Sequence, residues 1–433
     1  VTSPSIAPPA SFAPDPRAKR VIPLVFATVF LDLVGFGIII PFLPLYVKSM
    51  GGTAETVGFL FGSFSFTQLI ATPILGRISD RLGRRRVILV SLAGNAASMV
   101  LFAVATDARA LVLLFVSRIL AGATAGNIAA CQASIADVTQ GNARAKGMGQ
   151  LGAGLGLGMV LGPVIGAWAS KLGQSAPPLV AAGLAALDLA AASFLMPETR
   201  ALAVPRIPTD KPLGEPVPVQ VERGHSSPMS ESPTLGALLR EPRIVTVLSL
   251  YFLTFLSMTT MQVALPLLTN ARLHWSEEDI GHVFGLFGLI GLVVQGFLIG
   301  RMTRAFGMGN LLVTGALSSM TGLLLIASAH TTVIMVAGLV LLSFGLGVTN
   351  PTLSTLASEY AGRSRQGVVL GFAQSAGGLA RTVGPVGSGV LYARLGPSAP
   401  FVGGALAALT ALTLALSVRA RGRRGAEAPR AGS

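Results

Sequence analysis

The chain returns repeatedly to apolar stretches about twenty residues long, separated by short turns of glycine and charge. A run of that length matches a bilayer's hydrocarbon core, which takes roughly 20 residues of α-helix. In lipid the backbone must satisfy its own hydrogen bonds within the segment, so such runs fold as helices. They fall at 21–46, 55–75, 87–106, 110–132, 145–170, 178–196, 243–268, 280–300, 308–329, 332–353, 367–393 and 398–418. The expected fold class is all-α, a polytopic membrane protein with twelve transmembrane helices. Charge content agrees: 12% of the 433 residues are charged, against about 25% in soluble chains.

The polar segments divide the chain. Residues 1–20 are rich in Pro, Ala and Ser and predict a disordered tail. The apolar run that follows is too long for a signal-peptide core and reads as the first span. A six-helix bundle is expected over 21–196, a proline-rich polar linker over 197–242, a second six-helix bundle over 243–418 and a basic tail over 419–433.

The formal net charge of +14 raises the question of a polyanionic partner, and placement answers it. With the amino terminus inside the cell, 25 of the 32 Lys and Arg fall in inside loops and tails or at the inside ends of spans (Lys146 and Arg243), five outside, and two, Arg118 and Arg381, deep within spans. That is the positive-inside pattern, and it removes the motive for a nucleic-acid reading. This topology suits a bacterial inner membrane. One cysteine, Cys131, and four scattered histidines give no disulfide and no metal-ligand spacing, so neither metal nor cofactor is expected.

The halves repeat each other. Gly76-Arg-Ile-Ser-Asp-Arg-Leu-Gly83 is echoed 224 residues later by Gly300-Arg-Met-Thr-Arg-Ala-Phe-Gly307, and Gly162-Pro163 recurs 222 residues later as Gly384-Pro385. Duplication of this kind marks carriers whose site lies between two bundles.

Several residues stand out chemically. Asp32 sits in mid-span below a proline-broken stretch ending at Pro41 and Pro44, and a buried carboxylate is costly unless protonated or paired. It is the first candidate for proton or substrate coupling, with Arg118 as a possible partner; the alternative is a structural ion pair between spans one and four. Arg381 either attracts an anionic substrate or caps carbonyls freed near Pro385. Asp188 is assigned to a supporting helix. Gln68, Asn127, Gln150, Gln262, Gln295, Asn350 and Gln374 are the neutral polar candidates for a cavity. In span five, Gly154, Gly158, Gly162 and Gly166 form a stripe that lets a neighbour approach closely, with Pro163 removing one helical hydrogen bond and predicting a bend.

The loop Gly76-Arg-Ile-Ser-Asp80-Arg81-Leu-Gly83-Arg84-Arg85-Arg86 resembles the signature loop of the major facilitator superfamily. The resemblance implies a fold of two pseudo-symmetric six-helix bundles. It further implies that Asp80 and Arg84 latch the inward face while the carrier is open outward, Asp80 facing the start of span eleven and Arg84 pairing with Asp137. The run Gly158-xxx-Gly162-Pro163-xx-Gly166 resembles the antiporter motif of drug-efflux facilitators, and Arg118 looks like the family's arginine of span four. With Ile135-Ala-Asp137-Val-Thr139 and Met196-Pro-Glu-Thr199, these segments are similar to the tetracycline-efflux branch of drug:proton antiporters. That branch carries a histidine in span eight and an aspartate in span nine, where this chain has Gly291 and Ser319. The resemblance therefore implies proton-coupled export of a small organic compound without supporting tetracycline itself.

Three functions follow. The first is a monomeric proton-coupled antiporter exporting drugs or other small molecules; the second is an importer or facilitator of a sugar or organic anion, with Arg118 and Arg381 as ligands. The third, a transporter-like receptor or scaffold, lacks the decayed Gly76 loop or added domain it would show. No phosphate-binding loop and no nucleophile and base at a recognisable spacing are present, so neither ATP hydrolysis nor enzymatic catalysis is expected.

Overall fold

A computed structural model describes residues 16–202 and 235–427. The expected tail over 1–15, most of the linker (203–234) and the last residues (428–433) lie outside the described residues. Among those described there is no β-strand.

The amino-terminal bundle consists of α1 (Pro16–Ile39), α2 (Leu43–Ser49), α3 (Ala54–Leu82), α4 (Arg84–Asp107), α5 (Leu111–Ala123), α6 (Asn127–Val138), α7 (Gly141–Ser170) and α8 (Ala176–Leu195). Helices α1 and α2 form one span interrupted at Pro41, whose ring denies the backbone a helical bond, and α5 and α6 form another. After the short α9 (Leu235–Leu238), the second bundle runs through α10 (Pro242–Leu273), α11 (Glu277–Val293), a five-residue π-turn (Val294–Leu298), α12 (Ile299–Phe306), α13 (Met308–Ser328), α14 (Thr332–Leu395) and α15 (Ala399–Glu427). Eleven described segments are long and apolar enough to cross a membrane. The second arm of α14 brings the number of long helices to twelve.

The structure departs from the sequence reading at three places. α1 already begins at Pro16, within the expected tail, because proline suits a helix's first turn. α15 continues past 418 to Glu427. The loop expected between spans ten and eleven is helical almost throughout: α14 covers 64 residues and breaks its dihedrals only at Gly362 (φ 67°, ψ 167°). α7 runs through Pro163 without interruption of the helix.

The repeat seen in the sequence is also written in the backbone. Besides Arg109, which has no counterpart in the second half, positive φ occurs at Gly51, Gly83, Gly141 and Gly173 in the first half and at His274, Gly307, Gly362 and Gly396 in the second. Each residue of the second set lies 221 to 224 positions after its counterpart in the first. Equivalent inter-helix turns thus share a left-handed conformation that glycine adopts at little cost.

The packing of small residues shows how the bundles meet. At the end away from Pro16, called here the far end, a methyl on Gly62 of α3 would meet Val386 of α14 at 2.8 Å, and one on Gly281 of α11 would meet the Pro163 carbonyl of α7 at 2.7 Å. Nearer the other end, the tail end, Gly76 of α3, Gly149 and Gly152 of α7, Gly296 and Gly300, and Gly367 and Gly371 of α14 have open space around them. The bundles are therefore closed at the far end and apart at the tail end.

Candidate transport cavity

The gap between the bundles is a cavity of about 880 Å³ lined mainly by α1, α3, α4, α5 and α6, with Gln262 of α10 and the second arm of α14 opposite. Its walls are largely apolar, with a few polar side chains converging, which is the usual make-up of a small-molecule site.

Asp32 of α1 lies on this wall, half-buried. The expected ion pair with Arg118 is not formed. Instead the Asn95 amide of α4 donates to Asp32 Oδ1 at 2.8 Å, and Asn127 of α6 is a second hydrogen-bond partner. The reason lies in the face of α4 that carries Asn95, Met99 and Phe102 at helical spacing. Asp32 takes the first of these. Arg118, further towards the far end, stacks its guanidinium over the Phe102 ring at 4.8 Å and reaches Met99 Sδ at 3.8 Å.

Arg118 is 4% exposed and has no acidic partner among the described residues, yet it lines the cavity. Arg381 faces it from α14, its guanidinium 4.7 Å from the Phe255 ring centroid, with Gly377 and Gly378 leaving room beside it. It makes none of the described hydrogen bonds to carbonyls near Pro385, which leaves the cavity-facing alternative. The site therefore presents two cations and one carboxylate.

Of the neutral candidates, Gln68, Asn127, Gln262 and Gln374 line the cavity; Gln150, Gln295 and Asn350 do not. Asn350 lies in the first arm of α14, which packs through close glycine contacts against α13, Gly345 meeting Gly315 and Gly338 meeting Gly322. That arm contributes nothing to the cavity wall, and Asn350 is turned away with it.

The glycine stripe of α7 has one neighbour. Gly154 packs on Phe26, Gly158 on Phe30 and Leu33, Gly162 on Val34 and Gly37, and Gly166 on Ile38 and Phe42, while the Pro163 ring touches Gly37. The stripe thus holds α7 against α1, the helix that carries Asp32.

At the tail end the Gly76 loop forms a charged knot. Arg84 reaches Asp137 at 3.2 Å and Asp80 at 2.5 Å. With the bundles apart at this end, Asp80 is not against the start of the eleventh span, where the latch of an outward-open carrier would hold it; its side chain is 65% exposed and turned to Arg84. Glu198 accepts from the Arg84 and Arg85 backbone amides at 2.9 and 3.3 Å, capping α4, and Arg200 donates to the Arg81 carbonyl at 2.8 Å. Gly83 (φ 103°) makes the turn.

The model of the Major Facilitator Superfamily matches residues 25–385 and again 247–432. The chain belongs to the major facilitator superfamily. It is a multi-pass membrane transporter of the kind that handles small molecules. Tetracycline resistance protein, class E, of Escherichia coli is 30% identical over 86% of this chain and 88% of its own. Major facilitator superfamily domain-containing protein 10 of Homo sapiens is 30% identical over 89% and 90%. Among solved structures, the human organic anion transporter MFSD10 (TETRAN) superposes with a TM-score of 0.66 at 26% identity, covering 93% of this chain and all of that one. The nucleoside transporter NupG shares the fold, with a TM-score of 0.67 at 14% identity over 92% and 98%.

Within this facilitator, sequence reasoning missed Asn95 as the partner of Asp32. The signal was available: Asn95 is a polar side chain in mid-span, expensive in lipid unless it has a partner. Among the described residues no group of three or more His, Cys, Asp or Glu could hold a metal ion.

Proposed function

We propose that this carrier is a proton-coupled antiporter that exports small organic compounds by alternating access. The observation that carries the reading is the setting of Asp32: a carboxylate on the cavity wall, held by the neutral amides of Asn95 and Asn127 and by no cation. Such a group can take up or release a proton without breaking an ion pair, so proton and substrate compete for one wall. The tetracycline resistance relatives support export, as does Multidrug resistance protein 2 of Bacillus subtilis, 26% identical over 86% of this chain. Tetracycline is not assigned: Gly291 and Ser319 stand at the positions expected to carry a histidine and an aspartate, and neither lines the cavity. The placement of positive charge supports termini in the cytoplasm, and so a cavity open inward, in a bacterial inner membrane. One chain supplies every wall of the cavity, in keeping with a working monomer.

A second reading, an importer or facilitator of organic anions, is favoured by Arg118 and Arg381, which face one cavity without acidic partners. The name of the human MFSD10 structure points the same way.

The test uses proteoliposomes with an imposed pH gradient and a panel of lipophilic and anionic compounds, comparing the native chain with Asp32→Asn. Under antiport, at least one compound collapses the gradient through the native protein and not through the variant. Equal behaviour of the two overturns the role of Asp32. In that case uptake of anions lost in Arg381→Gln establishes the second reading.

A further inference from the structure

Behind the cavity wall the amino-terminal bundle buries a second carboxylate that the cycle above leaves unused. Asp188 lies in α8 on the face formed with Ala181, Ala185 and Ala192, which packs against α1 and α4. It is 2% exposed. Thr28 of α1 donates to its Oδ1 at 3.0 Å, while Oδ2 is buried and has no hydrogen-bond partner. No basic side chain among the described residues pairs with it.

A carboxylate oxygen shut away from water without a donor is costly to keep charged, and a proton placed on Oδ2 removes that cost. The titratable groups near Asp188 are Asp32 from α1 and Cys131 from α6. Thr28, which holds Asp188, lies four residues before Asp32 and so on the same side of α1. Ser91, seven residues from the tail end of α4 as Asp188 is from the tail end of α8, lines the cavity with its hydroxyl buried and unpartnered. A polar layer thus runs from the cavity wall into the bundle at the depth of Asp188. Asp188 is held by Thr28, one helical turn from Asp32 on α1, and two carboxylates that interact in one bundle titrate as a pair, the ionisation of one opposing that of the other.

We propose that Asp188 is a second proton-binding site of the carrier, coupled to Asp32 along one side of α1, so that the pair and not Asp32 alone stores the coupling proton. The role in transport rests on the proton-coupled reading; the site itself does not.

Infrared difference spectra of the full chain in lipid, recorded as pH is stepped from about 4 to 10, read the carboxylic-acid carbonyl bands directly and need no substrate. Beyond the bands of ordinary carboxyls, which are lost just above pH 4, the native protein is expected to lose two bands in two steps. Asp188→Asn removes one band and moves the step of the other; Asp32→Asn does the converse. Thr28→Val, close in volume, shifts the frequency of the Asp188 band and leaves the Asp32 band in place, which keeps the test open if Asp188→Asn fails to fold. An Asp188 band that persists across the whole range, or no such band at any pH, overturns the proposal. A silent Asp188 in a protein whose gradient assay shows coupling removes this proposal alone; a titrating Asp188 in a protein that couples no protons removes the coupling reading and leaves the site.

Discussion

The turn between α3 and α4 and the turn between α12 and α13 are the same piece of backbone used twice. Gly83 has φ 103° and ψ 153°, and Gly307 has φ 72° and ψ 158°. The chemistry around them differs. The first turn gathers Asp80, Arg84, Asp137, Glu198 and Arg200 from three parts of the chain. In the second, Arg304 donates only to the Gly300 carbonyl in its own helix, and Arg301 and Arg304 have no acidic partner among the described residues. Duplication has kept the bend in both halves and the charged knot in one. A bend can be preserved by a glycine alone, whereas the knot needs acids delivered by distant segments, and only the first half has Asp137 and Glu198 within reach.

The comparison breaks most readily at its arginines. Arg84→Ala leaves Asp137, 19% exposed at its side chain, without its cation, and losing one partner of a buried pair costs about 3–5 kcal/mol. The partial exposure here reduces the expected loss to about 2 kcal/mol. Arg304→Ala is expected to change stability by less than about 0.5 kcal/mol, as an exposed surface substitution. Thermal unfolding of the two variants in the same detergent measures the difference; equal losses would mean that the knot contributes no more than an ordinary basic turn.

The glycines sharpen the point. Alanine at either position takes a conformation that L side chains avoid, at a cost of about 1–3 kcal/mol. At Gly307 that strain is the whole effect, because nothing lies within 4 Å of an added methyl. At Gly83 the methyl also collides with the Glu198 carboxylate, so Gly83→Ala is expected to be the more damaging. Pairing it with Glu198→Ala removes the collision and should bring the two glycine variants to similar stability, read by the same unfolding assay. A persistent gap would place the difference elsewhere than in Glu198.

What could be read from the sequence follows the range of the interactions involved. The long helices, their division into halves and the Gly76 loop depend on local pattern, and the structure repeats them. The helical passage through 354–361 hid behind its polar residues, since Ser354, Ser358 and Glu359 look like a loop until the neighbouring helices are in place. Within the site, Asp32 and Arg118 are each conspicuous as charges in apolar spans. Which of them meets which was not legible, because α4 lies between and offers Asn95 to one and Phe102 to the other. Asn350 and Gln262 look equivalent in sequence; only the packing of α14 against α13 turns one from the cavity and leaves the other on it.

A smaller effect than that of Arg84→Ala reports on the charge in the knot. Glu198 caps α4 with both carboxylate oxygens, Oε1 taking the Arg84 amide and Oε2 the more distant Arg85 amide, and Gln in its place keeps the first acceptor while removing the negative charge and the second acceptor. A charge at a helix amino terminus contributes about 0.3–1 kcal/mol by its interaction with the helix dipole, screened by salt. Glu198→Gln should therefore lose a salt-dependent amount in that range in addition to the long bond to the Arg85 amide, and the salt-dependent part should shrink as salt is raised. No such variant exists for the second turn, where Gly307 caps α13 without a side chain. A loss independent of salt would mean that Glu198 acts through hydrogen-bond geometry alone. The two turns would then differ by what their acids hold in place and not by the field those acids create.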